Sequence, residues 1–134
     1  MDAAGRCADE ETIVNSRAQV LVIDGNADTR AVLSDYLRGV GYEARIAGNG
    51  QQALHMLREG LAPQVIVCDA AVPSMGGRDF VQQMRAGPNP APVLLMTAAR
   101  GAGSEGADAA IAKPFQLIDF GDKLLRVLRE QTAR

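Results

Sequence analysis

The sequence predicts an α/β domain built on a doubly wound parallel sheet, and three observations carry that prediction. Continuous apolar, β-rich runs occur at residues 20–23, 65–68 and 92–97, without the strict alternation of a strand that faces water on one side. Segments between and after them carry apolar residues at helical spacing. Polar residues able to do chemistry close the strands: Asp24, Asp69, Thr97 and, after a weaker run, Lys113. Strands alternating with helices favour a parallel sheet covered on both faces, with a ligand crevice at the carboxyl ends of the strands.

Each element follows from local pattern. Residues 1–17 are small and charged, lack a repeating apolar face and are expected to form a flexible tail. The run 20–23 reads as a strand buried on both faces, and Asn26 or Asp28 is placed to cap the helix after it. That helix carries Val32, Leu33, Tyr36, Leu37 and Val40 at helical spacing and ends at Gly39 and Gly41. A short strand over 42–46 leads through Ala-Gly-Asn-Gly to a second helix with Ala53, Leu54, Leu57 and Leu61 on one side, stopped by Pro63. The strand 65–68 ends on Asp69, and beyond the turn Val-Pro-Ser-Met-Gly-Gly a third helix carries Phe80, Val81 and Met84. A strand over 92–97 and a weaker one over 109–112 follow. Lys113-Pro114-Phe115 then introduces a final helix with Leu117, Phe120, Leu124, Val127 and Leu128 facing inward.

One crossover is short. Fifteen residues separate Thr97 from Lys113, so a strand of about 5 leaves roughly 10 for a connection that usually takes 10 to 12 with its helix. Gly101, Gly103 and Gly106 disfavour helix there. A fourth helix between these strands is expected to be shortened or disordered.

Composition narrows the classes of function. The chain has 134 residues with 47% hydrophobic content, enough for one core without disulfides or metals. The expected organisation is a tail over 1–17, one domain over 18–131 and a C-terminal tail over 132–134. A net charge of −2 provides no basic surface for nucleic acid. No apolar stretch has the length of a membrane span, and the first residues hold no apolar signal core, so a cytoplasmic location is expected. Cys7 and Cys68 lie in dissimilar settings, which argues against a structural disulfide and for a reducing compartment. Cys68 reads as a small core residue and His55, the single histidine, as a surface side chain. The GxGxxG match at 101–106 leads into a short strand rather than a long helix, so a dinucleotide site is not expected.

The four strand-end residues suit phosphoryl transfer. A carboxylate such as Asp69 is able to form an acyl phosphate. Thr97 offers a hydroxyl to a phosphoryl oxygen, and Lys113 a point cation. Asp24 would help hold a hydrated Mg²⁺, an ion that takes few protein carboxylates and keeps several waters.

VLVIDGNADTR, VIVCDAAVPSMGG, VLLMTA and AKPF, in that order, resemble the successive motifs of the receiver domain of two-component response regulators. The likeness covers roughly residues 18–131. It implies a flavodoxin-like fold with strand order 2-1-3-4-5, Asp69 as phosphoacceptor, Asp24 as first member of an acidic pair, Thr97 as switch hydroxyl, and Lys113, followed by Pro114, as the family's lysine. It further implies Mg²⁺ held by Asp24, Asp69 and the backbone carbonyl of Ala71, and a histidine kinase or histidine phosphotransferase as phosphodonor. Such a domain is a signalling module that acts through a downstream protein, not an enzyme.

Two positions depart from the family pattern. Gly25 stands where a second acid, a direct Mg²⁺ ligand, is expected. Losing it takes the cluster from three negative charges to two, and at about 4 Å with an effective dielectric near 20 each pair is worth roughly 4 kcal/mol before desolvation. Easier hydration of the ion offsets most of that, so a weakened Mg²⁺ site is expected. A purely conformational role, in which the glycine lets the loop adopt positive φ and approach a partner closely, is the alternative. Ala110 takes the place of an aromatic switch residue, so any response is expected to run through ordering of residues 98–108. Few residues follow the last helix, which favours a single-domain receiver signalling by protein contact. The alternative is a pseudo-receiver that binds partners without phosphorylation. A flavodoxin-like enzyme or nucleotide binder is disfavoured, because no glycine-rich loop follows the first strand.

Overall fold

The computed structural model describes residues 18–71, 76–87, 91–98 and 107–132. Five strands, β1 (Gln19–Ile23), β2 (Glu43–Ala47), β3 (Val65–Asp69), β4 (Val93–Thr97) and β5 (Ala109–Ala112), form one parallel sheet in the order β2-β1-β3-β4-β5. Among the described residues there are four helices: α1 (Ala27–Gly39), α2 (Gly50–Arg58), α3 (Gly77–Arg85) and α4 (Leu117–Thr132). This is the doubly wound order 2-1-3-4-5 that the family resemblance implied. The order reverses between β1 and β3, which opens a crevice at their carboxyl ends. The expected tail at 1–17 lies outside the described residues, as do 99–106, where the shortened crossover helix was placed.

Alternate residues of the central strands go to opposite faces, and each face has its own core. Leu21, Ile23, Ile66, Cys68 and Leu95 pack with Ala53 and Leu54 of α2 and with Phe80, Val81 and Met84 of α3. Val20, Val22, Val65, Val67, Leu94 and Met96 pack with Leu33 and Leu37 of α1 and with Phe120, Leu124 and Val127 of α4. Both faces being covered explains the continuous apolar runs. Each fully buried side chain of this size contributes about 1.5–3 kcal/mol relative to exposure.

Side-chain caps set the helix starts. Asn26 accepts from the backbone N–H groups of Asp28 and Thr29, and Asn49 from that of Gln52. Gly41 (φ 102°) and Gly60 (φ 111°) turn the chain out of α1 and α2 in the left-handed region. Of the apolar residues at helical spacing in α1, two lie outside the core: Val32 is 53% and Val40 55% exposed. The inner face centres on Leu33 and Leu37, which leaves Val32 at its rim, and Val40 lies past the last helical residue. Leu61 packs on the core from beyond the end of α2.

The start of α4 is pinned by aromatic rings. Phe115 stacks on Phe120 at 5.5 Å between centroids, and Tyr36 of α1 meets Phe120 edge-on at 6.1 Å. Gly121 makes room for that contact, since a Cβ there would overlap the Tyr36 hydroxyl. A glycine inside a helix costs about 1 kcal/mol relative to alanine, and here it permits the α1–α4 packing. These contacts hold the segment that carries Lys113. No helix among the described residues is long and apolar enough to cross a membrane.

Candidate functional site

Asp24 follows β1 and is 1% exposed. Its backbone N–H donates to the Ala47 carbonyl at 3.2 Å, which ties the end of β1 to the end of β2. Its Oδ1 accepts from the Asn26 N–H at 2.9 Å, so the carboxylate is held by the same turn that starts α1. Its Oδ2 accepts from Lys113 Nζ at 3.0 Å. Arg30, one turn into α1, reaches back and donates from Nη1 to the Asp24 carbonyl at 2.8 Å.

Asp69 is the last residue of β3, and its side chain is 18% exposed. Oδ1 accepts from the Ala71 N–H at 3.2 Å and Oδ2 from Lys113 Nζ at 3.3 Å. Lys113 follows β5, and its backbone N–H donates to the Thr97 carbonyl at 2.7 Å. The structure therefore joins Asp24, Asp69 and Lys113 by direct side-chain contact. Thr97 joins them through the backbone. Its side chain is 1% exposed and Oγ1 has no hydrogen-bond partner.

A cleft of about 550 Å³ opens over these residues, lined by Thr29, Asp69, Ala71, Ala98, Lys113, Pro114 and Phe115. Asp69 and Lys113 face it, with Asp24 buried behind them. Burial alone would push the Lys113 ammonium down from its usual range, but the hydrogen bonds and charges of Asp24 and Asp69 outweigh burial and raise it. Lys113 is accordingly a fixed cation at neutral pH. With both carboxylates ionised, the three groups sum to −1. Cys68, next to Asp69 but turned into the core, is held as a neutral thiol: burial, followed by the charges of Asp69 and Asp24, pushes it up to about 12.

The oxygens available to the expected Mg²⁺ are already engaged. All four carboxylate oxygens of Asp24 and Asp69 already accept from protein donors, two of them from one ammonium. Gly25 contributes no oxygen from a side chain, and no three His, Cys, Asp or Glu side chains group as a metal site among the described residues. As they stand, these residues do not fit a tightly held divalent ion. Gly25 is also not one of the described glycines with positive φ, which are Gly41 and Gly60, so the conformational alternative for this position is not supported.

Arg30 escaped the sequence, and so did the place of Pro114 and Phe115 at the cleft. Arg30 gave a signal only in hindsight, as a long cation on the first turn of the helix that follows Asp24. Phe115 and Pro114 line the cleft because of the α4 packing, for which no local pattern exists.

Comparison with known proteins bears on this arrangement. A family model described as the response regulator receiver domain matches residues 20–125. The DNA-binding response regulator MtrA of Mycobacterium tuberculosis (strain ATCC 25618 / H37Rv) is 36% identical over 106 residues, covering 75% of this chain and 46% of MtrA. The chain thus spans about half the length of the curated relatives it matches. Chemotaxis response regulator CheY4 of Vibrio cholerae superposes with a TM-score of 0.76 at 29% identity, covering 82% of this chain and 98% of CheY4. Response regulator TrrA of Thermotoga maritima, solved in complex with Mg²⁺-BeF, superposes with a TM-score of 0.74 at 25% identity, covering 82% and 98%.

Proposed function

The chain belongs to the response regulator receiver domain family of two-component systems, and from that premise we propose that it accepts a phosphoryl group on Asp69 and signals by protein contact. The donor is a phosphohistidine of a histidine kinase or histidine phosphotransferase. The observation that carries the proposal is Asp69 itself, a carboxylate open to a 550 Å³ cleft and held by Lys113 at 3.3 Å.

In the proposed step an Asp69 carboxylate oxygen attacks phosphorus in line. The new O–P bond forms as the P–N bond to the donor imidazole breaks, the electron pair leaves with that nitrogen, and the nitrogen takes a proton from solvent. Catalysis is positioning and charge. Lys113 balances charge on the phosphoryl oxygens, and Asp24 holds the ammonium in place. The buried Thr97 hydroxyl, which costs about 1–3 kcal/mol while unpaired, gains an acceptor when a phosphoryl oxygen is present.

A second groove, about 280 Å³, adjoins the cleft through Thr29 and Phe115 and includes Asp28, Val32, Leu33 and Leu117. Its apolar rim, with Val32 exposed, suits the helix that would present the donor histidine. The free, buried Cys68 accords with a reducing, cytoplasmic setting.

Gly25 favours one other reading, a pseudo-receiver that binds partners without phosphorylation. Mass spectrometry after incubation with a small acyl phosphate separates the two. A single phosphoryl adduct on the wild type and none on Asp69→Asn is expected; absence of the adduct from wild type would leave the pseudo-receiver.

A further inference from the structure

The acidic pair at the strand ends already holds a cation. Lys113 Nζ lies 3.0 Å from Asp24 Oδ2 and 3.3 Å from Asp69 Oδ2. The other oxygen of each carboxylate takes a backbone N–H, that of Asn26 or of Ala71. Gly25 is exposed and does not need glycine's positive φ, so its consequence for the site is the missing carboxylate. One ammonium against two carboxylates leaves −1, whereas a third carboxylate would leave −2 and a stronger demand for a divalent ion.

Mg²⁺ dehydrates reluctantly and needs oxygens in near-octahedral array. An ion shared on the two oxygens that face Lys113 would sit against the ammonium, and repulsion between the two cations sets them in competition. Asp24 is 1% exposed, so the approach is from the Asp69 side, past the ammonium.

We infer that Lys113 is the resident cation of the Asp24–Asp69 pair, competing with a divalent ion for the same two oxygens, and that phosphoryl acceptance at Asp69 runs without one. The second half rests on Asp69 being the acceptor; the competition does not.

Calorimetric titration of the full chain with MgCl₂ tests the competition directly. Removing the ammonium in Lys113→Met should tighten Mg²⁺ binding about tenfold or more, and restoring the acid in Gly25→Asp should tighten it by a similar factor. Circular dichroism checks that each variant is folded. Should Lys113→Met fail to fold, Lys113→Gln, which removes the charge and keeps a long polar side chain, takes its place. Mg²⁺ affinity unchanged or weaker in a folded Lys113 variant would overturn the competition.

Labelling by a small acyl phosphate is then compared in chelator and in Mg²⁺. An equal rate for the wild type, with Mg²⁺ dependence appearing in Gly25→Asp, is the expected result. Labelling of wild type only in Mg²⁺ overturns the metal-free step. If Asp69 is labelled in neither condition, the acceptor reading falls with the metal-free step, and calorimetry still decides the competition.

Discussion

Two ion-paired corners of the sheet differ in what they leave over. At the amino end of β4 and β5, Asp108 Oδ2 accepts from Arg85 Nη2 at 2.7 Å and from the Val93 N–H at 2.8 Å. One carboxylate takes a guanidinium and a strand-end N–H, and the ion pair is neutral. At the carboxyl end, Lys113 is divided between Asp24 and Asp69, so these three side chains keep one negative charge, and the Thr97 hydroxyl has no partner. The first corner is a clasp between α3 and the β4–β5 crossover. The second keeps an excess of charge and an unused donor around a cleft. An ion pair alone does not distinguish the proposed phosphoacceptor corner; the residual charge beside an unpaired hydroxyl does.

Exchanging carboxylate for amide at both corners should separate them most sharply. Asp24→Asn frees Lys113 from one of its two anchors and should lower the rate of Asp69 labelling by about tenfold. Asp108→Asn should leave labelling unchanged and cost about 1 kcal/mol or less in urea unfolding, because Arg85 loses a partly exposed ionic partner and the Val93 N–H a charged acceptor. If both variants lose labelling equally, the contrast between the corners fails.

A smaller effect is expected at Thr97. Thr97→Val removes an unpaired buried hydroxyl and should raise stability by about 1 kcal/mol while slowing labelling. A loss of stability in the same urea experiment would mean that the hydroxyl has a partner in solution.

The mildest probe is alkaline pH. The Lys113 ammonium is raised in the folded protein, so its contribution is fully present below the unfolded lysine value of about 10.4 and is lost as pH rises through the folded value. Cys68 acts in the same direction from lower pH: the unfolded thiol ionises near its ordinary value of 9.0, while the folded thiol keeps its proton to about 12. The melting temperature should therefore begin to fall near pH 9. Cys68→Ala should delay that fall, and Lys113→Met should reduce what remains. Neither change involves the Arg85–Asp108 corner.

Much of this architecture was legible residue by residue. Val22, Val67 and Leu95 sit in unbroken apolar runs, and a strand covered on both faces has no other simple signature. Asn26 announced the start of α1, and Phe80, Val81 and Met84 the inner face of α3. Val32 and Val40 misled because helical spacing states which residues share a side, not how wide the buried side is or where the helix stops. Gly121 reads locally as a poor helix residue, and its reason is a tyrosine on another helix. Asp108 reads as an ordinary turn residue until Arg85 and Val93 are brought beside it.

Element order and the polar residue at each strand end were carried by the chain's one-dimensional pattern, because periodicity and caps act over a few neighbouring residues. That Lys113 divides itself between two aspartates, that Arg30 braces the first of them, and that Thr97 is left unpaired were decided only by folding. Lys113 and Asp24 are 89 positions apart. No local preference encodes a contact made through space when two strand ends converge.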